Sequence, residues 1–258
     1  MRTLDQIWAI AQNTLREAVR NKVLFGLLFF ALLMIVSGVI VSSLSYVENA
    51  RILQDVGLAA IRLFGVAMAI FLGIEVISRE VERRTVFSVL AKPISRGAFL
   101  IGKFLGLTLT IWLQVALMGL AFAAVSLLAG APLGAVHAAF LLMVAAELAL
   151  VVAIATLFSS FTTPLLAAFF TTGLWLVGGL SRELRDIGAA SDSAWVEGST
   201  WWLHRLLPDL QSFDIAIEAA HGLPVEASQL LWALAYGTGY VALLLFIAVA
   251  VFQRRQFR

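Results

Sequence analysis

The sequence predicts an all-α polytopic membrane protein with six transmembrane helices. Two observations carry that prediction. First, the 258 residues are 61% hydrophobic and only 13% charged, whereas soluble domains average about 45–50% apolar and about 25% charged residues. Second, the apolar residues fall in continuous runs, not in the apolar–polar alternation of barrel strands, and a helix needs roughly 20 such residues to cross about 30 Å of hydrocarbon.

Six runs meet or approach that length. They are residues 23–44, 58–77, 98–128, 136–158, 164–180 and 229–252. The first is too long, and too far from the N-terminus, for an ordinary cleaved signal peptide. The third is long enough to tilt or to project into water. The chain has no cysteine, so it holds no disulfide framework, thiolate metal site or cysteine nucleophile.

Orientation follows from the cations. With the N-terminus in the cytoplasm, 13 of the 18 Lys and Arg residues fall inside. They cluster at Arg2–Lys22, Arg79–Lys103 and Arg254–Arg258. Outside, or at outer span edges, are Arg51, Arg62, Arg182, Arg185 and Arg205. Six crossings return the C-terminus to the cytoplasm. The expected location is a bacterial inner membrane, with both termini cytoplasmic.

Ahead of the first span, residues 3–20 place Leu4, Ile7, Trp8, Ala11, Leu15, Ala18 and Val19 at helical spacing. Charged and amide side chains occupy the rest of the circumference. This pattern predicts an amphipathic helix lying in the membrane interface. It serves either as a surface anchor or as a docking surface.

The densest charge lies in residues 78–103. Their first half, to about Leu90, suits a helix. Pro93 ends it, since proline lacks the amide donor and clashes with the preceding turn. Ser95 can cap the third membrane helix. Helix, stop and re-entry make a rigid elbow that could transmit force; a solvated loop that only sets topology is the other reading.

A family resemblance bears on that choice. The pattern Glu80-x-Glu82-Arg83-Arg84-Thr85, followed by Leu90, Lys92-Pro93-Ile94-Ser95-Arg96, Phe99 and Gly102-Lys103, is similar to the membrane subunit of exporter-type ATP-binding-cassette transporters. It resembles the second exporter class, whose permeases have six helices and an N-terminal interfacial helix. Weaker likenesses are Phe252-x-x-Arg255-x-Phe257 and Leu207-Pro208-Asp209-Leu210-Gln211-Ser212-Phe213. The family more often has glycine before the threonine, where this chain has Arg84.

The resemblance implies that residues 79–95 form a coupling helix seated on a cytosolic ATPase. Its contact residues would be Glu80, Glu82, Arg83, Arg84, Thr85, Leu90, Pro93, Ser95 and Arg96. It also implies a dimer, with a second permease copy or homologue. No Gly-x-x-x-x-Gly-Lys-Ser/Thr loop is present, so the chain should not itself be an enzyme. ATP and Mg²⁺ are expected in the partner ATPase, with no cofactor in this chain.

The outer loop, residues 181–228, is rich in aromatic residues, including Trp195, Trp201, Trp202 and Phe213. One or two short helices near the outer surface are expected there. The loop is either an interfacial cap, or an exit gate or contact for an extracytoplasmic partner. His204 and His221 are isolated, so no metal site is expected.

Three polar residues fall within or beside spans. Glu147 sits mid-span, where a carboxylate costs roughly 2.5–3.5 kcal/mol on the insertion scale. It should face the bundle near Gln114 of the third helix, as a structural hydrogen bond or with a substrate or proton role. If the role is only a hydrogen bond, Glu147→Gln should spare transport. Glu75, near the inner end of the second span, reads as structural. Gly102-x-x-x-Gly106 and Ala145-x-x-x-Ala149-x-x-x-Ala153 are candidate helix contacts, since small residues mediate association in lipid.

The leading function is therefore the permease of an ATP-driven exporter with an unidentified substrate. The alternative keeps the ATPase but acts mechanically on an extracytoplasmic partner. An intramembrane enzyme would need His-Glu-x-x-His, Gly-x-Ser-x-Gly or paired carboxylates, none of which occurs. No nucleic-acid partner is expected.

Overall fold

The computed structural model describes residues 3–43, 48–82, 95–181 and 207–254, with scattered positions between 183 and 202. All regular structure among the described residues is helical. In chain order the elements are α1 Thr3–Val19, α2 Lys22–Ser42, α3 Asn49–Glu82, α4 Arg96–Leu128, α5 Ala135–Ser159 and α6 Pro164–Gly179. A 3-10 turn Gln211–Phe213, α7 Ala216–His221 and α8 Ala227–Arg254 complete the set.

Five helices are long and apolar enough to cross a membrane: α2, α3 as far as Glu75, α4, α5 and α8. The sixth apolar helix, α6, has 16 residues and spans about 24 Å at the helical rise. That falls short of a hydrocarbon core of about 30 Å. Pro164 opens α6 at its first turn, where the missing amide donor costs no hydrogen bond. The second span also begins earlier than its apolar run, because α3 starts at Asn49 and carries Gln54 and Arg62 into the bundle.

α5 is the centre of the molecule. Leu150 to Ala155 are an unbroken buried run, since α3, α4, α6 and α8 surround the helix. Close approach of α3 rests on glycines eight residues apart. A Cβ at Gly65 would lie 2.7 Å from Leu148 Cδ1, and one at Gly73 would lie 2.6 Å from the Ala155 Cβ. Eight residues turn the helix about 80° beyond two full turns, so both glycines still fall within one broad face.

The predicted amphipathic helix α1 does not merely float at the surface. Ala11, Thr14 and Ala18 are buried, and Ala11 and Thr14 lie on Gly106 of α4 while Ile7 and Ile10 lie on Gly102. A Cβ at Gly102 would meet Ile10 Cβ at 2.8 Å, and one at Gly106 would meet the Ala11 carbonyl oxygen at 2.6 Å. Beside this seam Lys103 is only 2% exposed; its Nζ lies 3.5 Å from Glu17 of α1 and 5.9 Å from the centre of the Phe99 ring. Leu4 and Trp8 remain exposed, on the side where lipid can cover them.

Short-range chemistry sets the helix ends. Asn21 Oδ1 accepts the Val23 amide at 2.9 Å and starts α2. Ser95 Oγ accepts the Ala98 amide at 3.2 Å and starts α4. After α4 the chain turns through Gly130 at φ 74°, a left-handed conformation that suits glycine.

Candidate functional site

Four segments meet in one charged cluster around Arg62 and Glu147. Arg62 of α3 forms a two-pronged ion pair with Glu147 of α5: Nε donates to Oε2 at 2.9 Å and Nη2 donates to Oε1 at 3.0 Å. Trp175 of α6 donates its indole N–H to the same Oε1 at 3.0 Å. Arg62 Nη1 donates to Asp214, in the segment joining the 3-10 turn to α7. The Glu147 side chain is fully buried, whereas Arg62 and Asp214 keep 19% and 34% of their side-chain surface.

Glu147 thus faces the bundle, but its partner is not Gln114. Gln114 is buried on α4, and its Oε1 has no hydrogen-bond partner among the described residues. The sequence reading counted Arg62 among the cations outside or at outer span edges, although it fell within the expected span 58–77; α3 begins nine residues before that span, so Arg62 lies well within the helix and not at its edge. One guanidinium against two carboxylates leaves a formal charge of −1. Such a cluster has little reason to face lipid, where each ionised group costs roughly 2.5–3.5 kcal/mol.

The segment 207–222 reaches this cluster because it packs against the bundle. Leu210, Phe213, Ile215 and Ala219 are buried to within 1%. Asp209 holds the segment: its Oδ1 accepts Ser181 Oγ–H at 2.7 Å and the Gln211 amide at 3.1 Å, and its own amide donates to Tyr236 Oη at 2.9 Å. Leu210 N–H donates to the Gly178 carbonyl at 3.2 Å. Short helices do occur in this stretch, as expected: α7 and its 3-10 turn, which fill the space beyond the short α6. Trp195 and Trp202 stay exposed. Trp201 and His204 lie outside the described residues.

Two apolar cavities flank the cluster between α3 and α6. One, of about 570 Å³, runs from Glu75 past Ile70 and Ala168 to Trp175. The other, of about 400 Å³, is walled by Arg62, Phe140, Trp175 and Ala216. Leu63 and Trp175 line both.

Toward the opposite end, Glu75 accepts a 2.5 Å hydrogen bond from Asn21 Nδ2. Arg96 Nη1 donates to the carbonyls of Phe252 at 3.4 Å and Gln253 at 3.2 Å, and Phe99 stacks on Phe252 at 6.4 Å between ring centres. These contacts tie the start of α4 to the end of α8. Of the other residues expected to contact an ATPase, Glu80 and Glu82 belong to the last turns of α3, and their side chains lie outside the described residues. Arg83, Arg84, Thr85, Leu90 and Pro93 lie outside them altogether.

A protein-family model described as "ABC-2 family transporter protein" matches residues 8–181. The chain belongs to the ABC-2 transporter family. The match covers about two thirds of the chain, from α1 through α6, and so includes Arg62, Glu147 and Trp175 but not Asp214. No curated protein matches the chain. As an ABC-2 protein the chain is a multi-pass membrane component, and permeases of this family pair with an ATPase subunit.

One expectation for this ABC-2 permease concerns the outer segment. Asp214→Ala should leave the Arg62–Glu147 pair standing and free residues 207–222 to open locally. An ion pair of this exposure is worth about 1 kcal/mol. Hydrogen exchange should therefore quicken in those amides while the melting temperature moves little; equal exchange in the variant would show that Asp214 does not hold the segment.

Proposed function

We propose that this ABC-2 protein is the permease subunit of an ATP-driven exporter. Two permeases, as copies or homologues, assemble with a cytosolic ATPase that binds ATP and Mg²⁺ and docks on residues 79–95. The membrane is the bacterial inner membrane, with both termini cytoplasmic. The cation distribution supports that orientation, and export is the direction implied by the Glu80–Lys103 pattern.

The observation that carries this reading is the continuity of α3. One helix runs from Asn49 to Glu82 without a break. Beyond Glu75, the end of its span, seven further residues project about 10 Å. From Arg62 to Glu82 the distance is about 30 Å at the helical rise. A push on the charged end is therefore delivered, through a rigid rod, to the cluster that joins α5, α6 and the outer segment. The chain has no phosphate loop of its own, so the push comes from a partner.

The same tie favours a second reading, in which ATP-driven motion acts on an extracytoplasmic partner without moving a substrate. Arg62 links α3 directly to Asp214 of the outer segment, so a stroke can reach the far surface with no conduit. Detecting a translocated molecule separates the two.

The docking assignment is tested by reversing two charges together, Glu82→Arg with Arg83→Glu. Opposed like charges across an interface cost several kcal/mol, so ATPase binding and permease-stimulated turnover should fall by about tenfold or more. Unchanged binding and turnover would remove the coupling role from this segment.

A further inference from the structure

We propose that α8 is a second rod that carries motion across the bilayer, and that Arg96 is the positioning residue that engages it. α8 is gripped at both ends. At one end, Arg96 Nη1 donates to the carbonyls of Phe252 and Gln253. The Phe99 ring lies on that of Phe252 at an interplanar angle of 15°, and a Cβ at Gly97 would come within 3.3 Å of Val249 Cγ1. Arg96, Gly97 and Phe99 all belong to the first turn of α4. A cation at that end of α8 also meets the negative pole of the helix dipole.

At the other end, Tyr236 Oη accepts the Asp209 amide at 2.9 Å. One residue on, a Cβ at Gly237 would lie 2.7 Å from Phe213 Cζ, so the fully buried Phe213 ring sits against the bare backbone of α8. From Tyr236 to Phe252 the helix covers about 24 Å at the helical rise. Between the two grips α8 meets the bundle on a narrow face. Its buried residues, among those described, are Ala233, Gly237, Leu244, Ala248 and Phe252, whereas Trp232 and Phe246 are exposed. A helix with so slender a seam, made largely of small residues, can slide or roll as a unit.

The segment 207–222 is thereby held by two long helices at once. Asp209 hangs on Tyr236 of α8, and Asp214 is bound to Arg62 of α3. At their other ends the two helices attach to opposite sides of residues 83–94 in the chain: α3 ends at Glu82, and Arg96 grips α8. A displacement of that stretch loads α3 directly and α8 through Arg96. Unequal movement of the two helices shears the segment between Asp209 and Asp214. The segment therefore reads the difference between two strokes, not the size of either. Use of this linkage in a power stroke rests on the docking of an ATPase at residues 79–95; the linkage itself is a property of the chain.

The test uses the full chain alone in nanodiscs and reads hydrogen exchange at the amides of residues 209–214. Arg96→Ala should quicken exchange there about fivefold or more, the low end of ordinary coupling between distant sites. Arg96→Lys keeps a cationic donor and should recover part of the protection. Tyr236→Phe removes the oxygen that accepts the Asp209 amide and should quicken the same amides. The double variant should exchange no faster than Tyr236→Phe, because the rod is already detached from the segment. Independent sites this far apart would instead give effects that add in free energy and multiply in rate.

Effects that multiply, or quickening confined to the first turn of α4 and the last turn of α8, overturn the proposal. A covalent grip separates a lost linkage from a folding defect in Arg96→Ala. Gly97→Cys with Val249→Cys places a disulfide across the contact in this cysteine-free chain. Added to Arg96→Ala, the closed disulfide should return exchange at residues 209–214 to the parent rate, and reductant should quicken it again. Exchange indifferent to the state of that bond also overturns the proposal. None of these outcomes depends on an ATPase, so failure of the docking assignment, tested by Glu82→Arg with Arg83→Glu, is read separately.

Discussion

Glu147→Leu should lower stability by about 3–5 kcal/mol, the cost of breaking a buried ion pair by removing one partner. The loss arises mainly from what stays behind. Arg62 would keep Asp214, but Nε and Nη2 would lose both of their acceptors, and the Trp175 indole would lose its own. Arg62→Leu should cost a similar amount, because it strands the fully buried Glu147 carboxylate. The double replacement Arg62→Leu with Glu147→Leu should recover part of the loss, since exchanging a whole buried pair for apolar groups is often neutral. Thermal unfolding in detergent, read as a double-mutant cycle, measures the coupling. Additive losses would show that the two side chains do not act as a pair. The cluster also changes the expectation for Glu147→Gln. An amide turns one of its two ends, an N–H donor, toward the donors of Arg62 or Trp175. This substitution should be damaging, whereas the sequence reading expected transport to be spared if Glu147 made only a hydrogen bond.

The second large effect is expected at the seam between α1 and α4. Gly106→Leu places a Cβ 2.6 Å from the Ala11 carbonyl oxygen and 2.6 Å from Thr14 Cβ. A backbone carbonyl cannot swing aside as a side chain can. Overpacking of this kind costs roughly 1–3 kcal/mol, and the simplest relief is for α1 to lift away. Limited proteolysis should then cut within α1 in the variant and spare it in the parent chain. Gly26→Ala is the control, because nothing lies within 4 Å of its Cβ position. It should instead gain up to about 1 kcal/mol from helix propensity. Equal protection of α1 in both variants would mean that the seam is not what holds it.

These two sites also mark the boundary of what could be read in advance. Continuous apolar runs locate membrane helices because length and lack of charge are local properties. The inward orientation of Glu147 was readable for the same reason, as its cost in lipid is a property of one side chain. Its partner was not, because Arg62 lies 85 residues away in sequence. Arg62 already fell within the expected span 58–77, but it was counted as an outer-edge cation and so was not considered as a partner for a mid-span carboxylate. At the other seam both halves were visible: a helical pattern that includes Ala11 and Ala18, and a Gly102-x-x-x-Gly106 pair. Their union was not, because the α1 pattern was assigned to the interface and the glycines to a contact between spans. The glycine pair at Gly65 and Gly73 was missed. Its eight-residue spacing was the available signal. The inward fold of residues 207–222 had a weaker one, namely Leu210, Phe213 and Ile215 beside an aspartate.

The brevity of α6 has a consequence for the surrounding bilayer. A helix of about 24 Å beside neighbours of ordinary length produces a hydrophobic mismatch on one side of the bundle only. The membrane can thin there, or α6 can shift along its own axis, each at a fraction of a kcal/mol per Å. Because Trp175 fastens α6 to the buried charges, such a shift bears directly on Glu147. Acyl-chain length in the host membrane thereby becomes a mechanical input to the cluster, acting from the lipid side as the ATPase would act from the aqueous side.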